Sequence, residues 1–290
     1  QRYLKNGDPE KEKKLIPFYK LLAPEHLLKK PFANDSNTLD RHFYNELLHI
    51  IGLKEVKQGS QKLIQRTPEA ERQPGSLVEN AINILQSEDI IGYFNKKEQY
   101  GSDRDEQAFN IALELVITWI NRILFLKLLE AQLVRYHRGD AAYKFLNIDT
   151  LPDYDALNKL FFQVLAVEPG ERNENVREKY SKIPYLNSSL FEPNELERNT
   201  IRISNLEDEF ELPYLGHTVL KDNKGKRRSG KEDTLRYLFE FLEAYDFASE
   251  GSEDIQEENK NLINASVLGL IFEKINGYRE GSFFTPGFIT

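Results

Sequence analysis

Six cations, Lys221, Lys224, Lys226, Arg227, Arg228 and Lys231, stand within eleven residues, opposed only by Asp222 before Glu232 is reached. Cations on a flexible loop can contact DNA phosphates, each contact releasing a counterion. Lys224, Lys226, Arg227 and Arg228 are therefore candidate DNA-binding residues. A solvated surface loop has the same composition, and both readings stand. The segment Gly225-Lys-Arg-Arg-Ser-Gly230-Lys231 also has the spacing of a phosphate-binding loop up to its lysine. Glu232 then occupies the position where a hydroxyl should ligate magnesium, and its carboxylate would repel phosphates. The preceding residues are too polar for a buried parallel strand. Nucleotide hydrolysis is not expected.

The other chemistry-bearing types give less. His26, His42, His49, His137 and His217 are scattered in sequence, without the helical i, i+4 pair of a zinc site. No cysteine is present to complete one or to build a disulfide framework. Glu253, Asp254, Glu257 and Glu258 lack the glycine and ligand alternation of a calcium loop and suit a solvated linker. No metal site and no catalytic residue is assigned. Near the C-terminus, Phe283-Phe284-Thr285-Pro286 places two rings, a hydroxyl and a rigid proline after a helix. Such a group can wall a small-molecule pocket, or can be ordinary core aromatics before a turn.

The elements that must position these residues are mostly helical. Leu39, Phe43, Leu47, Leu48 and Ile51 recur at helical spacing, with Gly52 as the stop. A hairpin is expected around Gly59, between Val56 and Leu63-Ile64. Capping boxes are expected at Ser76 with Glu79 and at Ser102 with Asp105. The second opens a helix to about His137, closed by Gly139 and apolar nearly all round, as suits the central element of a bundle. Asp153 can cap a helix carrying Leu157, Leu160, Phe161, Val164 and Leu165. Residues 200–204 alternate and can pair with 217–221. Helices return around Leu235, Leu238, Phe239 and Leu242, and over 262–275. The expected fold is mainly α, a multi-helix bundle with a small antiparallel β insert.

Composition bounds the partners. The chain has 290 residues, with Lys+Arg 39 against Asp+Glu 47, a net charge of −8. A uniformly basic nucleic-acid binder is excluded, a local basic patch is not. The most apolar stretch, 115–129, is broken by Arg122 and Lys127, short of the roughly 18 charge-free residues that a membrane span needs. Residues 1–14 are polar and carry both charge signs, so a signal peptide is not expected there. A cytoplasmic protein without membrane partners is expected. The chain begins at Gln1 and contains no methionine. An internal fragment is expected, with methionines omitted from the written sequence, so that some neighbours in this numbering would not be covalent neighbours.

Several segments together resemble one family. Leu268, Gly269, Phe272, Glu273 and Ile275, followed by Gly281, Phe283, Phe284, Thr285 and Pro286, are similar to the L-G-x-x-[FY]-E-x-[IL] helix and G-x-[FY]-[FY]-T-P entry of N6-adenine DNA methyltransferase domains in single-chain (type IIG-like) restriction–modification enzymes. Pro184-Tyr-Leu-Asn-Ser-Ser-Leu-Phe-Glu192 resembles that family's P-Y-L-N-G-G-L-F-E, with serines for both glycines. Asn121-Arg-Ile-Leu-Phe-Leu-Lys127 resembles its R-x-L-F-L stretch, and Tyr245-Asp-Phe247 its Y-x-F. The order holds from about Asp105 onward.

The resemblance implies a layout. A strap or linker from a preceding domain would occupy 1–35 and a helical connector 36–183. A β-containing insert with the basic loop would occupy 184–232, and a helical segment leading into a truncated methyltransferase domain 233–290. Phe283, Phe284, Thr285 and Pro286 would line the methionine end of S-adenosylmethionine in the parent enzyme, which flips its target adenine out of the duplex. Neither the N-P-P-[YF] motif nor a nuclease set of paired acids with lysine occurs in this sequence. The chain alone is thus expected to be inactive and to hold no cofactor. Its partners would be double-stranded DNA, through the parent, and the adjoining nuclease and methyltransferase domains. The competing reading is a free-standing helical interaction module without catalytic activity.

Overall fold

The structure, a computed structural model, describes residues 40–58, 61–248, 262–264 and 267–271. The chain divides into two compact units, Gln1–Thr38 and Leu39–Thr290, and everything below concerns the second.

Asp40 accepts from the backbone N–H groups of His42 and Phe43 and so opens α1 (Arg41–Ile51). Phe43, Leu47, Leu48, Ile50 and Ile51 bury its apolar face, and Gly52 ends it in the left-handed region at φ 101°. The expected hairpin follows as β1 (Leu53–Gln58) and β2 (Gln61–Arg66), antiparallel with Leu53 opposite Arg66. Next come α2 (Leu77–Ser87) and the single turn α3 (Ile90–Tyr93). Then α4 (Arg104–Tyr136) runs 33 residues, roughly 50 Å at the helical rise. It packs against α2 and against later elements, burying Ile111, Leu115, Trp119, Ile120 and Leu124 on several faces, and leaves through left-handed Arg138 and Gly139.

Asp153 caps α5 (Tyr154–Lys159), which widens into a π turn over Leu160–Leu165. Short helices α6 (Glu174–Lys179) and α7 (Glu195–Asn199) lead to the strands β3 (Glu211–Pro213) and β4 (Lys231–Asp233), which pair antiparallel. Asp233 then caps α8 (Thr234–Glu243), whose Leu235, Leu238, Phe239 and Leu242 are buried. β5 (Asp246–Ala248) and β6 (Leu262–Asn264) pair in parallel. Residues 267–271 are helical, with Leu268 and Ile271 buried. The fold is mainly α with small two-stranded sheets. Among the described residues no helix is long and apolar enough to cross a membrane.

Four local expectations are corrected. Ser76 makes no cap bond; its hydroxyl donates to the Gln73 carbonyl, because Glu79 is drawn away by Arg66 in a two-pronged ion pair at 2.7 and 2.6 Å. The cap of α4 is Asp103, which accepts from Glu106 N–H, while Glu106 reaches back to the backbone and hydroxyl of Ser102. Residues 203–205 form a 3-10 turn closed by Asn205, whose side chain accepts from Arg202 N–H, so the alternation of buried Ile201 and Ile203 reports packing rather than a ladder. Residues 217–221 contribute only a bridge from Lys221 to Arg227. Finally, 262–264 is strand rather than helix, since Phe247 and Ile263 are both buried where β5 and β6 pair. The helix expected from there begins later, and its part beyond 271 lies outside the described residues.

Gly75 is required by close approach. A Cβ there would lie 2.2 Å from the Glu211 carbonyl oxygen. Its own carbonyl accepts from the Thr234 hydroxyl at 2.7 Å, so the start of α2 is fastened to the β3–β4 ladder.

The charges that break the apolar stretch of α4 are buried and paired. Arg122 and Glu197 are 2% and 0% exposed at their side chains and meet at 2.5 Å. Arg122 also donates from Nε to the Leu190 carbonyl (2.6 Å) and from Nη2 to the Glu192 carbonyl (3.0 Å). The successive rings of Phe161 and Phe162, in the π turn, both lie against its guanidinium, at 5.6 and 5.2 Å. Glu197 further accepts from the Trp119 indole and the Asn194 backbone, both at 2.9 Å, the latter as part of the capping box of α7. Burial alone would raise the Glu197 carboxyl; Arg122, with these N–H donors, holds it below the usual range. Five residues on, Lys127 donates to Glu130 and Glu243, both at 2.7 Å. Glu130 also accepts from the backbone of Phe145 and Leu146. Burial would raise Glu243 as well, but Lys127 and Lys144 hold it at about 2.

A buried ion pair stripped of one partner leaves an uncompensated charge, at a cost of about 3–5 kcal/mol. Arg122→Met and Glu197→Leu should each destabilise on that scale, and the double variant should cost clearly less than their sum. A urea-unfolding double-mutant cycle measures this; simple additivity would contradict the coupling.

Candidate nucleic-acid interface

The basic cluster folds as a hydrogen-bonded hairpin turn. Asp222 and Gly225 close a β-turn, Gly225 N–H donating to the Asp222 carbonyl at 2.9 Å, with Gly225 left-handed at φ 75°. A type I turn followed by a left-handed glycine is a common hairpin connection. The Asp222 carboxylate accepts from the backbone N–H groups of Lys224 and Lys226, both at 2.9 Å, so the one acid in the turn is spent on its own backbone. Asp222 N–H donates to Lys226 (2.7 Å) and Arg228 N–H to Leu220 (3.0 Å), which fixes the two arms.

Three of the four candidate residues, Lys224, Lys226 and Arg227, are exposed at this turn, and their side chains make no hydrogen bond or ion pair among the described residues. Arg228 is different. It is half-buried, pairs with Glu240 of α8 and donates to the Tyr214 hydroxyl at 3.1 Å, its guanidinium over the Tyr214 ring. It braces the hairpin instead of offering a free charge. Residues 225–231 lie within an antiparallel hairpin, with Lys231 and Glu232 in β4, so they form no turn between a parallel strand and a helix.

The root of the hairpin is held by a carboxylate. Glu46 of α1 is 1% exposed. It accepts from the hydroxyls of Thr218 and Tyr237, the latter at 2.8 Å, and from Val219 N–H at 3.2 Å. Tyr237 in turn accepts from Leu215 N–H (3.2 Å), and burial, then Glu46, raise its hydroxyl far above the ordinary range. One turn along α1, His49 donates from Nε2 to the Pro213 carbonyl at 2.8 Å. The His42 and His217 rings meet edge to face at 6.0 Å. Histidines far apart in sequence thus gather at the hairpin root. Among the described residues, however, no group of three or more His, Asp or Glu side chains is placed to hold a metal ion. Glu46 was detectable in one respect: it falls between Phe43, Leu47 and Ile50 on the apolar face of α1, where a carboxylate must find donors.

Two segments that carry the resemblance also meet. Arg122, from the 121–127 stretch, donates to the carbonyls of Leu190 and Glu192 in the 184–192 stretch. At the double serine, the Ser188 side chain accepts from Leu190 N–H and caps a 3-10 turn over Ser189–Phe191, so no left-handed glycine is needed there. Phe283, Phe284, Thr285 and Pro286 lie outside the described residues.

Residues 36–263 match a family described as a domain of unknown function, DUF7814, and residues 1–35 match a second, DUF7149. The chain belongs to the DUF7814 family. No curated protein and no solved structure matches it.

Burial holds His49 below its ordinary value of 6.5, outweighing the Pro213 bond and the Glu46 charge, with His217 acting in the same direction as burial. The unfolded chain then binds the extra proton first. This contribution to stability is present above about pH 6.5 and is lost as pH falls through the lower folded-state value. His49→Gln, which keeps a donor for Pro213, should flatten the decline in the urea midpoint as pH falls below about 6.5. An identical slope in the variant would contradict it.

Proposed function

We propose that this DUF7814 chain is the helical spacer and DNA-positioning region of a cytoplasmic single-chain restriction–modification polypeptide, ending at the first S-adenosylmethionine motif of an N6-adenine DNA methyltransferase. One observation carries the reading: the braced hairpin presents Lys224, Lys226 and Arg227 to solvent on an otherwise acidic chain. Local cations on a net-negative surface favour phosphate contact at one place and repel it elsewhere, which positions a duplex without reading its sequence. The meeting of 121–127 with 184–192 at Arg122 supports it, because segments resembling one family form one packed unit. A helix of about 50 Å, tied to its surroundings by the buried Arg122–Glu197 pair and by Lys127 to Glu243, suits a part that keeps two neighbouring domains at a set separation. In the parent, Phe283, Phe284, Thr285 and Pro286 would rest against the methionine end of the cofactor. Catalysis would reside in the adjoining domains, and double-stranded DNA would be the shared partner.

Charge reversal tests the hairpin directly, since the three side chains are exposed and their loss leaves the core intact. Duplex binding by fluorescence anisotropy, followed over a salt series, should weaken in Lys224→Glu/Lys226→Glu/Arg227→Glu. The salt slope should fall by about 2–3, one phosphate per cation. Equal affinity and equal slope would return the hairpin to an ordinary solvated turn.

A further inference from the structure

A second site lies where β2, the start of α2 and the residue before β3 converge. Arg66, Arg72, Glu79, Asn83, Gln86 and Phe210, with Pro74 and Ile82, line an open cleft of about 270 Å³. Its walls are fixed. The Asn80 side chain is fully buried and both donates to the Glu207 carbonyl (2.9 Å) and accepts from Glu207 N–H (3.1 Å), which holds the segment carrying Phe210. Thr234 ties that segment to the other wall: its hydroxyl donates to the Gly75 carbonyl at 2.7 Å and lies 3.3 Å from the Phe210 carbonyl. On the β2 side, Arg66 lies over the Phe109 ring at 5.6 Å.

The charge in this cleft does not balance. Arg66 and Glu79 satisfy each other through two parallel bonds and are together neutral. Arg72 is left over. Its Nε donates to the Thr67 carbonyl at 3.1 Å and stands 3.9 Å from Glu79, while its two terminal nitrogens have no partner among the described residues. The exposed Asn83 amide likewise has none there, and Gln86 donates to Asp105 at 3.1 Å from the same face of α2. A guanidinium with its planar edge open is shaped for the two oxygens of an oxyanion. The cleft falls below the roughly 300–1,000 Å³ of pockets that enclose whole cofactors or drug-sized ligands. We infer that it takes a small phosphoryl-type oxyanion, held by the edge of Arg72 and the Asn83 amide. The assignment goes beyond the connector reading and does not depend on it.

The experiment uses inorganic pyrophosphate as probe and the intact chain, by isothermal titration calorimetry at low salt. Arg72→Gln removes the surplus charge. Asn83→Asp, at an exposed position, puts a carboxylate beside the anion and keeps the test interpretable should the Arg72 change disturb the turn at Thr67. Both should weaken binding about tenfold or more. The hairpin variant Lys224→Glu/Lys226→Glu/Arg227→Glu should bind as the parent does, which separates the cleft from the basic turn whatever the outcome with DNA. No binding at millimolar pyrophosphate, unchanged affinity in Asn83→Asp, or loss in the hairpin variant would each overturn the assignment.

Discussion

The buried pair between Arg122 and Glu197 is the constraint around which the largest element is built. Desolvating a guanidinium and a carboxylate is expensive, and mutual attraction offsets it only when the remaining donors and acceptors are also satisfied. Here Arg122 reaches two carbonyls besides Glu197, and Glu197 accepts an indole N–H and a backbone N–H besides Arg122. That arrangement works for one placement of 188–199 against α4 and fails for neighbouring registers, which would strand a charge. An apolar pair would have packed as well without selecting a register. Lys127 and Glu130 repeat the device toward 144–146 and α8.

Glu46 extends the same logic to the hairpin. Among the described residues it forms no ion pair, and it accepts from two hydroxyls and one backbone N–H. These come from the hairpin root and from α8, so the carboxylate ties three parts of the chain to one point. Arg228 completes the bracing from the other arm by pairing with Glu240. The exposed cations are therefore carried on a hairpin held by hydrogen bonds and an ion pair. On the proposed reading, such bracing suits a positioning contact better than a loose solvated loop would.

The periodic elements were legible in the sequence because their cause is local. The apolar spacing of 39–51 and 235–242, the stop at Gly52 and the cap at Asp153 all depend on residues within a turn or two. What failed depended on distant partners. Glu79 left its expected capping box because Arg66 competes for it, and the strand over 262–264 exists because β5 lies beside it. The candidate site divides in the same way. Lys224, Lys226 and Arg227 could be read as an exposed basic cluster, whereas the brace by Arg228, the buried Glu46 and the convergence of His42, His49 and His217 are products of tertiary folding. The cleft at Arg72 had no sequence signal, since its residues come from three separate segments.

The connector reading is tested most directly by sequencing the parent reading frame beyond Thr290. An acidic, glycine-rich strand end followed by an N-P-P-[YF] motif is the result that reading predicts. A stop codon after Thr290, or a following domain without those motifs, would contradict it and favour a helical interaction module.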